Sequence, residues 1–183
     1  KSIRECHVAI LLIDAVQGFE AQDLRILREA EKFNKGVIVA INKWDLVEKD
    51  THSVKNYEKM IRDKMPDMGY IPIITISAKS RQRIFKIIEM ADVVIEERHK
   101  KISTSELNKF MERIISTRPL PGAGGKERKI KYVTQVKANP PVFMFFLNNP
   151  ESLPANYRRF LENRMREEFQ FTGVPITLIF KEK

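Results

Sequence analysis

The stretch that most limits what this chain can become is Val37-Ile-Val-Ala-Ile41, followed at once by Asn42-Lys43-Trp44-Asp45. An unbroken apolar run rich in β-branched residues predicts a strand covered on both faces, as in a parallel sheet flanked by helices. Ligands of open α/β sheets bind at the C-terminal ends of the strands. The polar residues that close this run therefore stand where a ligand would be read.

The neighbouring sequence repeats the pattern. Residues 8–13 are a short apolar run ending at the turn-forming stretch Asp14-Ala-Val-Gln-Gly18. A helix is expected over 22–33, with Asn34-Lys35-Gly36 closing it and Gly36 as its C-cap. After His52-Ser53 a second helix is expected to about Met65, stopped by Pro66. Residues 71–76 read as a third strand, ending in Ser77-Ala78-Lys79. A long helix is expected over 84–99 from the spacing of Ile84, Ile87, Ile88, Ala91, Val94 and Ile95. Strand and helix alternating with short connections predict an α/β domain with a parallel sheet.

From Lys100 the pattern changes. Ser103-x-x-Glu106 is a capping box, so a helix starts there. A Pro- and Gly-rich connector, Thr117 to Lys126, follows. Ile130, Tyr132, Thr134 and Val136 alternate with Lys131, Gln135 and Lys137, which predicts a half-exposed strand whose apolar face is the Ile130–Val136 set. Residues 142–147 are apolar throughout. A helix opens near Ser152 and Pro154, with Tyr157, Phe160, Leu161, Met165 and Phe169 as its buried side, and a last strand covers 176–180. The order α-β-β-α-β makes a small α+β domain, with the boundary between residues 1–100 and 101–183.

Chemistry enters through the polar ends of the strands. Guanine presents its N1–H and N2 amine side by side, and one carboxylate accepts from both with charge-assisted strength. Asp45 is placed for that task, and adenine lacks the donor pair. Asn42 would tie neighbouring loops by its amide. The Lys43 stem would lie along the base with its ammonium in water. The Ala78 N–H, between Ser77 and Lys79, would meet guanine O6. Asn-Lys-x-Asp alone is a short pattern; an apolar strand before it and Ser-Ala-Lys after a second strand make it specific.

With those motifs placed, residues 8–99 resemble the second half of a translation-factor-type P-loop GTPase domain. The whole chain resembles the C-terminal part of the tandem-G-domain GTPases called EngA or Der. Asp14-Ala-Val-Gln-Gly18 with Gln22-Asp23 fits that family's second G domain. Tyr132-Val-Thr-Gln135, Asn139-Pro-Pro141, Leu161-Glu-Asn-Arg164 and Gly173-Val-Pro-Ile176 fit its KH-like C-terminal domain. The resemblance implies an incomplete P-loop GTPase-type sheet followed by a KH-like domain, with GTP or GDP as ligand. It further implies a role in maturation of the large (50S) ribosomal subunit through ribosomal RNA.

The chain departs from a complete GTPase in one respect. It contains no Gly-x-x-x-x-Gly-Lys-Ser/Thr and no Asp-x-x-Gly. Phosphoryl transfer needs a phosphate cradle and a Ser/Thr on Mg²⁺. No catalytic or metal residue is assigned, and Mg²⁺ is expected only with a P-loop half supplied from elsewhere in a longer protein. Two alternatives stand beside this one. The first is a non-catalytic RNA- or ribosome-docking module. The second is an Era-type GTPase with a true KH domain, against which the placement of Gly122-Ala-Gly-Gly125 argues, since it joins a helix to a strand rather than two helices.

Composition narrows the partners. The net charge is +9, and residues 103–183 carry 14 Lys and Arg against 8 Glu. That surplus suits a polyanion such as RNA or an ordinary solvated basic face alike; the resemblance implies RNA, with Lys126, Arg128, Lys129, Lys131, Arg158, Arg159 and Arg166 as the candidate phosphate contacts. One cysteine, Cys6, excludes an internal disulfide and fits a reducing, cytoplasmic setting. No apolar run is long enough for a membrane span. His7, His52 and His99 are scattered without metal-ligand spacing. Finally, the unbroken apolarity of 142–147 predicts that a second face of its sheet, including Phe145, docks on another domain.

Overall fold

The computed structural model describes residues 2–47, 53–122 and 129–182. The chain divides into two compact units. The first holds residues 1–97 together with Phe171–Pro175, and the second holds the remainder.

The first unit is built on a three-stranded parallel sheet in the order β1 (Val8–Asp14), β2 (Gly36–Asn42), β3 (Ile73–Thr75). The central strand β2 is buried at every position up to Ile41. Its side chains alternate between two layers. Val37, Val39 and Ile41 join Leu27 and Ala30 of α2 (Ala21–Lys32) and Ile61 of α3 (Ser53–Lys64) in the larger core. Ala40 joins Ile76 and Ile87 of α4 (Ile84–His99) on the other side. A four-residue helix, α1 (Ser2–Glu5), precedes β1 and was not anticipated from the sequence.

The end of α2 differs from expectation. The left-handed residue is Asn34 (φ 52°), not Gly36. Asn34 N donates to Glu31 O and Lys35 N to Ala30 O, the paired bonds of a Schellman ending. Asn tolerates that conformation, which leaves Gly36 to begin β2, where its N–H donates to His7 O.

Phe171–Pro175 is fastened into this unit at the opposite end of the sheet from Asn42. Val37 N donates to Gly173 O (2.8 Å), and Gly173 N donates to Tyr70 O (2.8 Å). Gly173 has φ +69°, and a Cβ there would stand 2.6 Å from Val94 Cγ2 and 2.9 Å from Val37 O. Only glycine fits.

The second unit carries a sheet in the order β4 (Ile130–Lys137), β5 (Val142–Leu147), β6 (Thr177–Lys181). β4 and β5 are antiparallel, and β5 and β6 parallel. Helices α5 (Thr104–Thr117) and α6 (Ala155–Phe169) complete it. The helix caps follow sequence chemistry: Ser103 and Glu106 form a reciprocal capping box.

Two sequence expectations fail here. In β4 the core residue is Val133, fully buried, while Tyr132 and Thr134 are half-buried and Val136 is half-exposed. The apolar set read from alternation is therefore the outer face. Register shifts between Ile130 and Tyr132 and between Gln135 and Lys137 break the simple period. In β5 burial does alternate, despite uniform apolarity: Phe143, Phe145 and Leu147 are buried, and Val142, Met144 and Phe146 are half-buried. Phe145 lies in the core opposite Val133 and stacks on Phe180. The second face is instead Met144 and Phe146, with Tyr132 stacked on Phe146 at 4.4 Å.

Amide side chains hold this unit together. Asn108 of α5 donates to Val133 O (3.0 Å) and accepts from Val133 N (2.9 Å), occupying the otherwise open edge of β4 as another strand would. Gln135 accepts from Ile102 N and donates to Lys100 O. Asn139 accepts from the buried Arg98 guanidinium at 2.8 Å.

Two stability tests follow. Gly173→Ala should lower the first unit's stability by about 2–4 kcal/mol, the combined cost of a left-handed alanine and an overpacked contact. Chemical denaturation reads this, and Val94→Ala in the same chain should recover part of the loss. Asn108→Ala should cost about 1–3 kcal/mol by leaving the Val133 backbone unpaired, seen as faster amide exchange at Val133.

Candidate functional site

The C-terminal edge of the first unit's sheet gathers three loops: 14–18 after β1, 42–46 after β2 and 77–82 after β3. Each is closed by its own hydrogen bonds, and side chains tie them together.

Asn42 ends β2. Its backbone oxygen accepts from Ala15 N (2.9 Å), and its Oδ1 accepts from Ala78 N (3.0 Å). One residue thus links all three loops. The next residue, Lys43, turns the chain in the left-handed region (φ 60°, ψ 31°), and Trp44–Leu46 forms a short 3₁₀ turn. Trp44 is buried, its N–H donates to Ile76 O, and its indole meets Tyr57 edge to face at 5.5 Å. This anchoring carries Asp45 to the surface, where it is exposed.

Ser77 is fully buried. Its Oγ accepts from Ser80 N (3.1 Å), and its backbone exchanges two hydrogen bonds with Gln82. The turn between them displays Ala78 and Lys79, both exposed. Arg83 holds the base of this loop through Thr75 Oγ1.

All six residues expected from the sequence (Asn42, Lys43, Asp45, Ser77, Ala78 and Lys79) therefore stand at one sheet edge. Two details differ from expectation. The Ala78 N–H donates to Asn42 Oδ1, so a contact with guanine O6 requires that bond to be shared or exchanged. The Lys43 ammonium is not simply hydrated: it pairs with Asp14 Oδ2 at 2.6 Å.

Asp14 is the participant that sequence reasoning missed. The sequence shows it only within a turn and a family motif, with no role of its own, although it also shows a carboxylate ending one buried strand and a lysine ending the next. The hydrogen bond from Lys43, and then that from Val16 N, hold its carboxyl below the ordinary carboxylate range. A carboxyl depressed in the folded state stabilises above its unfolded pKa of about 4 and loses that effect as pH falls through the lower folded value. Tyr57 supports the same loop by donating to Ala15 O (3.0 Å), and burial raises its phenol pKa.

In the second unit the basic residues sort differently from expectation. Arg158 donates to Leu153 O and Pro150 O and lies over the Phe180 ring, so it closes the start of α6. Arg166 is mostly buried and bonds Glu162 through Nε and Nη2. Lys131 and Arg159 are exposed, as is Lys129, whose backbone N–H bonds Asn148 Oδ1. Lys126, Arg128 and most of the Gly122-Ala-Gly-Gly125 stretch lie outside the described residues. Among the described residues, no cluster of three or more His, Cys, Asp or Glu could hold a metal ion, and no helix is long and apolar enough to cross a membrane.

Residues 1–97 match the family model described as the Elongation factor Tu GTP binding domain. Residues 101–181 match the KH-domain-like region of EngA bacterial GTPase enzymes, C-terminal. Curated relatives include GTPase Der of Chlorobium phaeobacteroides (strain BS1), 46% identical over 183 residues, and GTPase Der of Chloroherpeton thalassium, 45% identical. Each alignment covers 100% of this chain and 42% of the relative, so the chain spans under half the length of these proteins. Among solved structures, Aquifex aeolicus Era bound to GDP and aluminium fluoride matches at TM-score 0.43 and 21% identity, covering 100% of this chain and 67% of that one. Apo SelB of Methanococcus maripaludis matches at TM-score 0.46 and 20% identity, covering 57% of this chain and 23% of that one.

Asn42→Ala removes the acceptor of the Ala78 N–H. It should cost about 0.5–1.5 kcal/mol locally, measured as lost amide-exchange protection at Ala78 while exchange in α2 is unchanged.

Proposed function

The chain belongs to the EngA/Der GTPases, with a translation-factor-type GTP-binding domain and that family's KH-like domain; on this premise we propose that its sheet edge is the guanine-reading half of a GTP site. The observation that carries the reading is the Asn42–Ala78 bond, which locks the Asn-Lys-Trp-Asp loop to the Ser-Ala-Lys turn. Asp45 receives the N1–H and N2 donors of guanine, and two bonds to one ionised acceptor select guanine over adenine. The Lys43 stem and the 77–79 turn bound the base. Nothing at this edge performs phosphate chemistry.

GTP hydrolysis belongs to the parent protein. The sequence holds no phosphate loop, the segment that would supply the Ser or Thr for Mg²⁺. The first unit also shows an uncovered apolar surface where further structure would fit. Ile10 and Leu12 of β1 are 44% and 60% exposed, and they share a sheet face with Ala40 by register. Ile88 and Ile95 of α4, on that side, are 57% and 40% exposed. A phosphate-binding segment from outside this sequence would cover them, and the chain alone would be inactive.

The KH-like domain serves interdomain docking through the Tyr132, Met144 and Phe146 face, and contact with ribosomal RNA through Lys129, Lys131 and Arg159. The assembled protein acts in the cytoplasm in maturation of the 50S subunit. Salt dependence of RNA binding tests the phosphate contacts.

The base reading is tested by Asp45→Asn in a chimera in which this chain replaces the matching segment of Chlorobium phaeobacteroides GTPase Der. The amide then presents a donor where guanine's N2 needs an acceptor. Guanosine nucleotide affinity at this site should fall by about 100-fold or more, as expected when a buried polar pair is mismatched. Xanthosine diphosphate, which carries a carbonyl at that position, should bind in its place. Unaltered nucleotide preference would sink the assignment. The isolated 183-residue chain should release no phosphate from GTP.

A further inference from the structure

The Lys43 ammonium has travelled from the end of β2 to the end of β1. Its Nζ stands 2.6 Å from Asp14 Oδ2, and the Asp14 side chain is only 17% exposed against 54% for Lys43. The carboxylate is itself fixed. Its Oδ1 accepts from Val16 N (2.8 Å), its backbone oxygen accepts from Gly18 N (2.9 Å), and Ala15 N bonds Asn42 O. Tyr57 braces the same loop from α3 through Ala15 O.

We propose that Asp14 is a positioning residue of the base site, holding the Lys43 stem stretched along the sheet edge as a preformed floor for the guanine ring. The inference rests on the reading of that edge as the base site. A lysine stem has four rotatable bonds, and ordering it during binding would subtract from affinity. Pairing with a fixed carboxylate removes that cost beforehand. It also keeps the ammonium at the rim while the methylenes face the ring. Lys43 itself is held in the left-handed backbone region, at φ 60° and ψ 31°. Asp14 touches no part of the nucleotide and acts only through Lys43.

The test uses the Der chimera in an Asp45→Asn background, where binding of fluorescent xanthosine diphosphate reports this site apart from any other nucleotide site. Asp14→Asn should weaken binding by about five- to tenfold, the loss expected of one charge-assisted bond at a half-exposed group. Asp14→Glu, which keeps the charge, should restore part of it. Lys43→Met should weaken binding as well, and Asp14→Asn should then add nothing. That non-additivity separates positioning through Lys43 from a general loss of structure, and thermal unfolding midpoints accompany each variant. Unchanged affinity in Asp14→Asn, or additive losses in the double variant, would overturn the proposal while leaving the base site standing. Should Asp14→Asn unfold, Lys43→Met decides from the other partner, and full affinity there overturns it. No xanthosine diphosphate binding in Asp45→Asn alone removes the base reading and this proposal together.

Discussion

Everything at the candidate site depends on β2 being buried on both faces. A strand with apolar contacts above and below, and ladders on either side, has almost no freedom to shift register. Its neighbours are fixed from Val8 opposite Gly36 to Asp14 opposite Asn42, and from Ile73 opposite Val39 onward. Slipping by one residue would exchange Val39 and Ile41 with Ala40 across the sheet, a change of side-chain volume in both cores. The strand therefore delivers Asn42 to a fixed point, and the Asn42 amide delivers the 77–79 turn to Asp45. Rigid placement of polar groups by an apolar scaffold is the usual condition for selective recognition.

The second unit is organised by a different device. Its strands β4 and β6 flank a single buried partner, and much of its order comes from side-chain amides bonded to backbone or to a buried guanidinium. Asn108 closes the edge of β4, Gln135 clamps residues 100 and 102, and Asn139 meets Arg98. An amide carries both a donor and an acceptor, so it substitutes for a peptide group wherever a ladder stops. The resemblance motifs Tyr132-Val-Thr-Gln135 and Asn139-Pro-Pro141 contain two of these amides. Both make architectural hydrogen bonds.

Legibility in the sequence followed the range of the interaction. The strand and helix order was readable because buried runs and helical stripes are local patterns. The α/β class and the collection of Asn42, Asp45 and Ser77 at one edge follow from that order. Most of what failed depended on contacts distant in sequence. The face of β4 is inverted because Val133 pairs opposite the buried Phe145, while Tyr132 and Thr134 stand on the other side. Uniform apolarity hides which side of β5 is covered, so the sequence places Phe145 on the docking face rather than in the core of its own unit. Gly36 was taken for a cap because composition alone does not distinguish it from Asn34. Asp14 was missed because its role exists only in the parallel pairing of β1 with β2.

The separation of base reading from phosphate chemistry has an energetic consequence. Selectivity is a difference between affinities, and on the proposed reading Asp45 would supply it without supplying much affinity of its own. An exposed carboxylate, a lysine stem and a turn enclose little of a ligand. Binding energy for a nucleotide comes mostly from charged phosphates held by backbone amides, lysine and a metal ion. A preformed floor then matters more than an added contact, because a weak subsite loses a larger share of its binding energy when a flexible side chain must be ordered on arrival. The Asp14–Lys43 pair removes that loss with two residues already at the ends of adjacent strands. On the proposed reading it would make the guanine half competent in advance of a phosphate half, so that joining the two adds phosphate binding to a site that already discriminates.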